Sequence, residues 1–168
     1  MAISKAVLIA SIAGTAVVAV GLTAGSVSAI RKSGKDFWGN TESTITLRQP
    51  GGGACTITGK ETEVSVKKNK KLTWKVVNYC ATAQTVSLGN FRISAAGTQT
   101  NCTGATEGGA TWPFQGPEAL ASRQVTVDPA DDGDIEQKAK DLGSSPVVFH
   151  FDICLGGTKI DPRLVIDP

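Results

Sequence analysis

The chain has 168 residues, 40% hydrophobic, 19% charged and 5% aromatic, with a formal net charge of +2. That suffices for one globular domain of about 100–150 residues and an additional segment, and so small a charge gives no electrostatic reason to expect nucleic acid as a partner. A single histidine (His150), a single methionine (Met1) and four cysteines without a C-x-x-C spacing exclude most zinc and haem sites, and a copper site built from two His, Cys and Met.

Residues 6–30 are 25 consecutive uncharged positions between Lys5 and the basic group Arg31, Lys32 and Lys35. About 20 apolar residues cross a bilayer, so the stretch predicts an N-terminal hydrophobic, membrane-spanning helix. The competing reading is a secretory signal cleaved after Val27-Ser28-Ala29. Ala10, Gly14, Gly21, Gly25 and Ser28 fall on one helical face. The pairs Ala10-x-x-x-Gly14 and Gly21-x-x-x-Gly25 would let another transmembrane helix approach closely. Signal peptides are rich in Ala and Gly for unrelated reasons, so these residues fit both readings. The basic flank favours the cytoplasmic side, whereas the cysteines further on favour an oxidising, extracytoplasmic one. The expectation carried forward is a retained helix with the following domain outside the cytoplasm.

Residues 31–42 read as a linker, in which Phe37 and Trp38 belong either at the membrane interface or against the domain. Strand patterns then dominate. Residues 43–48 alternate, with Ile45 and Leu47 on one face. The runs 55–66, 71–78, 84–88, 91–94, 123–128, 146–153 and 163–167 are rich in β-branched and aromatic residues and bounded by Gly, Pro, Asn and Asp. One short helix is predicted where Asp134-Ile135-Glu136-Gln137 offers a capping box, with Gly143 to close it. Residues 95–120 form a long insertion rich in Gly and Thr; such loops are usually functional or mobile. Its triplet Trp112-Pro113-Phe114 is either an exposed, stiffened contact for a partner or a cover over the open end of the domain. Seven or eight short strands over residues 43–168 predict an all-β, antiparallel β-sandwich. Four cysteines behind an export-type segment make two disulfides the default, with three connectivities open.

Residues 55–88 resemble the second to fourth strands of a cupredoxin, the plastocyanin and azurin family. The resemblance is carried by Glu63-Val64-Ser65-Val66, the turn Lys67-Lys68-Asn69-Lys70-Lys71, Leu72-Thr73-Trp74, and Val76-Val77-Asn78 with its strand-ending asparagine. Phe149-His150-Phe151-Asp152-Ile153-Cys154, Gly156-Gly157 and Leu164-Val165-Ile166 resemble the last two strands around the copper loop. The pattern spans residues 43–168 with the insertion unmatched, and it implies a Greek-key cupredoxin-like sandwich. It also implies where copper would sit, and there the chain departs from the family. Gln84-Thr85-Val86 stands where the first histidine ligand belongs. Cys154 falls near the cysteine ligand, and the loop ending at Asp161-Pro162 has neither the second histidine nor a methionine. A His₂Cys site cannot be assembled, so the expectation is a domain without metal or other cofactor. The resemblance places Cys55, Cys80 and Cys154 toward the emptied copper end. It favours Cys55–Cys80 with Cys102–Cys154, the second pair pinning the insertion over that end.

Other chemistry has plainer explanations. His150 shares a strand face with Asp152 and Cys154, but no nucleophile accompanies it, and a hydrogen-bonded structural histidine is expected. Lys60, Lys67, Lys68, Lys70, Lys71 and Lys75 would meet acidic lipid heads or an acidic partner, or simply guard a sheet edge. The acidic run from Asp128 to Glu136 fails the calcium-loop pattern. With Gly133 at its sixth position, Ala130 is third and Ala139 twelfth. Asn101-Cys102-Thr103 matches the N-glycosylation pattern. The expected function is therefore non-enzymatic: an interaction subunit docked to a membrane protein complex through its N-terminal helix and the insertion. Accessory sandwich subunits of electron-transfer or photosynthetic complexes suit that description. A secreted binding protein released at Ala29 and a filament subunit packing through its N-terminal helix are the alternatives.

Overall fold

The computed structural model describes residues 34–35, 39–59, 61–95 and 101–168. The expected membrane helix, with Ala10, Gly14, Gly21 and Gly25, lies outside the described residues, as do Phe37, Trp38 and Lys60. Among the described residues no helix is long and apolar enough to cross a membrane.

Alternation of apolar and polar residues produces strands almost throughout. These are β1 (Gly34–Lys35), β2 (Thr41–Arg48), β3 (Thr56–Gly59), β4 (Glu63–Lys67), β5 (Lys71–Tyr79), β6 (Gln84–Arg92), β7 (Gln124–Val127), β8 (Asp132–Lys138), β9 (Val147–Leu155), β10 (Thr158–Ile160) and β11 (Arg163–Asp167). In β5 the side chains of Leu72, Trp74, Val76 and Asn78 face inward, and Lys71, Lys75 and Tyr79 face out. One sheet runs β1-β2-β5-β8 with β3 on the edge of β2. The other runs β4-β11-β9-β6-β7 with β10 on β9. The all-β sandwich expected from the sequence is thus formed.

Three expectations change. The sheets are mixed rather than antiparallel, because β2 runs parallel to β5 and β11 parallel to β4. Between β2 and β5 the chain passes through β3 on the edge of β2 and β4 in the other sheet, and between β4 and β11 it passes through six strands shared by both sheets, so each parallel pair has the long crossover it requires. The predicted helix at 134–137 is strand β8. There Ile135 and Gln137 are buried while Asp134 and Glu136 face water, a period of two that pairs along β5, with Trp74 opposite Ile135 and Thr73 opposite Glu136. A capping box is only a terminus signal; the ladder offered by β5 overrides it. Finally, the sheet begins within the expected linker: β1 pairs with Thr41 and Glu42 at the start of β2.

The core between the sheets is aromatic. Phe91 stacks on Phe151 at 5.2 Å, and Trp74 meets Phe114 edge-on at 5.5 Å. Phe91 also contacts Trp112 edge-on at 5.3 Å. Trp112 is 2% exposed and Phe114 not at all, with Pro113 buried between them. The triplet is therefore a cover, not an exposed contact. Its backbone is fixed by Lys140 N donating to Pro113 O and Gln115 N donating to Lys138 O. It closes the end at which β5 begins and β8 finishes, hereafter the basal end; Tyr79, Gln84 and Leu155 mark the apical end.

Candidate functional site

The apical end is organised by Asn78. Its Nδ2 donates to the carbonyls of Thr82 (3.0 Å) and Val127 (2.9 Å), and Cys80 N donates to its Oδ1 at 2.9 Å. This holds the turn that carries Cys80, which is bonded to Cys55 as expected. Between residues 49–55, Thr82, Gln84 and the Gly156-Gly157 turn lies an open cavity of about 400 Å³. This is where the resemblance would place copper. The donors around it are the carboxamides of Gln49 and Gln84, the hydroxyls of Thr82 and Thr158, and a sulfur already in a disulfide. Among the described residues no imidazole, thiolate or thioether faces it. The donor set does not fit a trigonal His₂Cys copper centre.

Cys154 has a different partner. Along β9, Phe149, Phe151, Ile153 and Leu155 enter the core, so His150, Asp152 and Cys154 point away from the opposite sheet. Cys154 is bonded to Cys102 on that outer face. The pairing is the expected one, but it does not pin the insertion over the apical cavity. Residues 102–104 instead lie over the outer face of β6 at Gly89, and residues 104–107 pair along the edge of β6 beyond β7. Asn90 N donates to Gly104 O (2.8 Å), Phe91 N to Ala105 O (3.0 Å) and Glu107 N to Phe91 O (2.8 Å). Two features of β6 make room. Asn90 adopts a positive φ of 54°, at a shift in register between Gly89 and Arg92. A Cβ on Gly89 would stand 2.6 Å from Gly104 O and 2.9 Å from Cys102 O.

The covered face holds buried polar groups that sequence reasoning missed. Arg123, 2% exposed, donates Nη1 to the carbonyls of Leu88 (2.6 Å) and Cys102 (2.8 Å), and Nη2 to Thr103 O (2.7 Å). Burial pushes its guanidinium pKa below the ordinary value, against the pull of Glu118. Asp152 is wholly buried and accepts from Asn90 Nδ2 (2.7 Å) and Arg92 Nη1 (3.0 Å), with Lys159 Nζ at 3.0 Å. Arg92 Nη2 reaches Asp161 at 2.9 Å, and His150 Nδ1 lies 3.5 Å from the same carboxylate. Two cations balance two carboxylates, and among the described residues no hydroxyl or thiol hydrogen-bonds to His150. The arrangement braces the sheet and has no nucleophile to activate. Nothing in the sequence marked Arg92 or Arg123 as internal, since alternation says which residues share a face but not whether another segment covers it.

The remaining candidates are separate. Asp132 and Glu136 lie on the outer face of the other sheet, paired with Lys75 (2.5 Å) and Lys71 (2.7 Å). Among the described residues no group of three His, Cys, Asp or Glu side chains converges. Asn101 is exposed, and its Oδ1 accepts from Thr103 N (3.1 Å) and Oγ1 (2.5 Å).

No protein-family model matches the chain, and no curated protein sequence matches it. Solved structures with a similar course include the McoA multicopper oxidase of Aquifex aeolicus, 10% identical over 73% of this chain and 29% of that one, with TM-score 0.40. A laccase from Pediococcus acidilactici is 12% identical over 81% and 28%, with TM-score 0.42. The multicopper oxidase CueO from Ochrobactrum sp. is 13% identical over 79% and 28%, with TM-score 0.39. The chain spans less than a third of the length of each.

Proposed function

We propose that this chain is a non-catalytic interaction subunit. It is a cupredoxin-like sandwich without copper, held at the extracytoplasmic face of a membrane by residues 6–30 and docked to a larger membrane assembly. The observation that carries the reading is the use made of Cys154. The residue nearest the position of a copper thiolate is tied to Cys102 on the outer face of the sheet, and the apical cavity offers only amides, hydroxyls and a disulfide. Such a domain holds surfaces in place and has no centre for electron transfer. Two disulfides suit an oxidising compartment. With the Trp112 triplet inside, docking falls to residues 6–30, whose small-residue face (Ala10, Gly14, Gly21, Gly25) admits a neighbouring helix.

The test is the intact mass of the native protein from washed membranes and from the soluble fraction, with copper titration of the purified chain. A full-length membrane species four hydrogens lighter than the reduced chain, and no stoichiometric copper, is expected from the two disulfides and the donor set. A soluble species beginning at Ile30 overturns the anchor, and a stoichiometric copper complex with a visible charge-transfer band overturns the non-catalytic reading.

A further inference from the structure

The lysines gather at one end of the sandwich. The β4–β5 turn carries Lys67, Lys68, Lys70 and Lys71, and the end of β8 brings Lys138 and Lys140 beside them. Lys71 lies directly opposite Lys138, Asn69 N donates to Ala139 O, and Ala139 N donates to Lys70 O. Two of the six are neutralised, Lys68 by Asp141 at 3.1 Å and Lys71 by Glu136 at 2.7 Å. Two further carboxylates lie near this end: Asp167, which takes a hydrogen bond from Ser65 at 2.5 Å, and exposed Glu42, level with Glu136 across Thr73. Lys67, Lys70, Lys138 and Lys140 reach water at least in part and form no ion pair with the described residues. The opposite, apical end carries more acid than base: Asp128 and Asp131 are exposed there and Asp132 is shared with Lys75, against the exposed Arg48 that lies over Tyr79 at 4.6 Å. Charge is thus separated along the strand axis, over roughly 25–30 Å for the nine residues of β5.

The same basal end receives the N-terminal part of the chain. Thr41, at the start of β2, lies opposite Leu72, and Lys71 N donates to Asn40 Oδ1 at 3.1 Å. Gly39 sits against the stems of Lys67 and Lys70, about 3.8–3.9 Å from where its Cβ would be. Before it, β1 pairs antiparallel with the start of β2, Lys35 opposite Thr41 and Gly34 opposite Glu42, so Gly34 lies one residue in from this end, and only residues 31–33, with Arg31 and Lys32, join it to the apolar stretch 6–30.

We infer that the basal end is a membrane-facing surface, and that Lys67, Lys70, Lys138 and Lys140 rest on anionic phospholipid head groups. This rests on the membrane anchoring proposed above. An anchor attached at the basal end brings that end to the bilayer, and four uncompensated lysines there meet a negative surface while the acidic end is turned away. The separation of charge gives the anchored domain one preferred attitude, with the apical cavity and the Cys55–Cys80 turn farthest from the lipid.

The experiment uses the full-length chain with vesicles of phosphatidylcholine alone, or of phosphatidylcholine with phosphatidylglycerol, and reads lysine acetylation residue by residue by mass spectrometry. Flotation with phosphatidylcholine vesicles tests the anchor; acetylation tests the surface. Acetylation of Lys67, Lys70, Lys138 and Lys140 should slow about fivefold or more on the anionic vesicles at low salt and recover at high salt, while Lys75 is unchanged. Equal labelling of the four on both vesicles overturns the inference and assigns the lysines to an acidic protein surface or to water. Failure to float with phosphatidylcholine, combined with protection on anionic vesicles, overturns the anchor and leaves the lipid-binding surface standing. The charge-neutralised Lys67→Gln/Lys70→Gln variant should lose the lipid-dependent protection of Lys138 and Lys140 while its unfolding midpoint stays put.

Discussion

Gly89 is where the seating of the insertion can be tested with one methyl group. A Cβ there would lie 2.6 Å from Gly104 O, 2.9 Å from Cys102 O and 2.9 Å from Arg123 Nη1. Carbon–oxygen contacts settle at about 3.3–3.6 Å, so the Gly104 carbonyl must retreat by roughly 0.7–1 Å. That carbonyl accepts from Asn90 N at 2.8 Å, and Cys102 O accepts from the buried Arg123 at 2.8 Å. A retreat of this size breaks or strains both bonds, and buried donors left without partners cost about 1–3 kcal/mol each. Overpacking itself costs about 1–3 kcal/mol, while the lower chain entropy of Ala in the unfolded state returns about 0.4–1 kcal/mol. Gly89→Ala should therefore lose about 3 kcal/mol or more. The assay is denaturant unfolding of the oxidised protein, with hydrogen exchange at the Asn90 and Phe91 amides to show that the loss begins under the insertion. Gly157→Ala is the control, since nothing lies within 4 Å of its Cβ position. If the two variants unfold at the same midpoint and the Asn90 amide stays protected, the insertion does not sit on β6 as described.

Three further outcomes follow from the same physics. The Cys102–Cys154 bond closes a separation of 52 residues, and its removal as Cys102→Ala/Cys154→Ala should cost about 4 kcal/mol. Cys55→Ala/Cys80→Ala, spanning 25, should cost about 3.5 kcal/mol, both read as denaturant midpoints. Asn78→Ala leaves the carbonyls of Thr82 and Val127 and the amide of Cys80 without their partner, so a loss of about 2–4 kcal/mol is expected by thermal or denaturant unfolding. Burial raises the pKa of the Glu61 carboxyl, partly offset by a hydrogen bond from Ser43. The folded chain therefore holds that proton at a pH where the unfolded chain has released it. The group costs stability at neutral pH, and the cost disappears as pH falls below the ordinary carboxylate value. Glu61→Gln should raise stability at pH 7 and leave it unchanged near pH 3; equal effects at both would refute this.

Alternation and composition decided a large part of this molecule before any contact was known. Ile45 and Leu47, Leu72 to Val76, and Phe149 to Ile153 alternate toward a single core, because a pleated strand sends neighbouring side chains to opposite faces and only one face can leave water. A single histidine, and no methionine beyond Met1, exclude from this chain's own side chains a copper site of two His, Cys and Met, since a ligand set must exist before it can be arranged. Face-sharing is legible too: spacing alone puts His150, Asp152 and Cys154 on one side of their strand.

What the sequence left open is everything that depends on one segment meeting another. Residues 134–137 have a local preference for a helix start, and it was the free edge of β5 that drew them into β8. Parallel pairing of β2 with β5 and of β4 with β11 is a property of the crossover and leaves no mark on either strand. The Trp112 triplet reads the same whether it covers or protrudes, and only the open basal end beside Phe91 and Trp74 decides that it covers. Arg123 looks like a surface residue until residues 102–103 lie across it, and Arg92 and Asp152 do until Asn90, Lys159 and Asp161 close on them. Their burial is tolerated because each charge meets a carbonyl, a carboxylate or a cation that only the folded chain brings within reach. Local pattern fixes which side of a strand a residue takes; only tertiary structure determines what lies on that side.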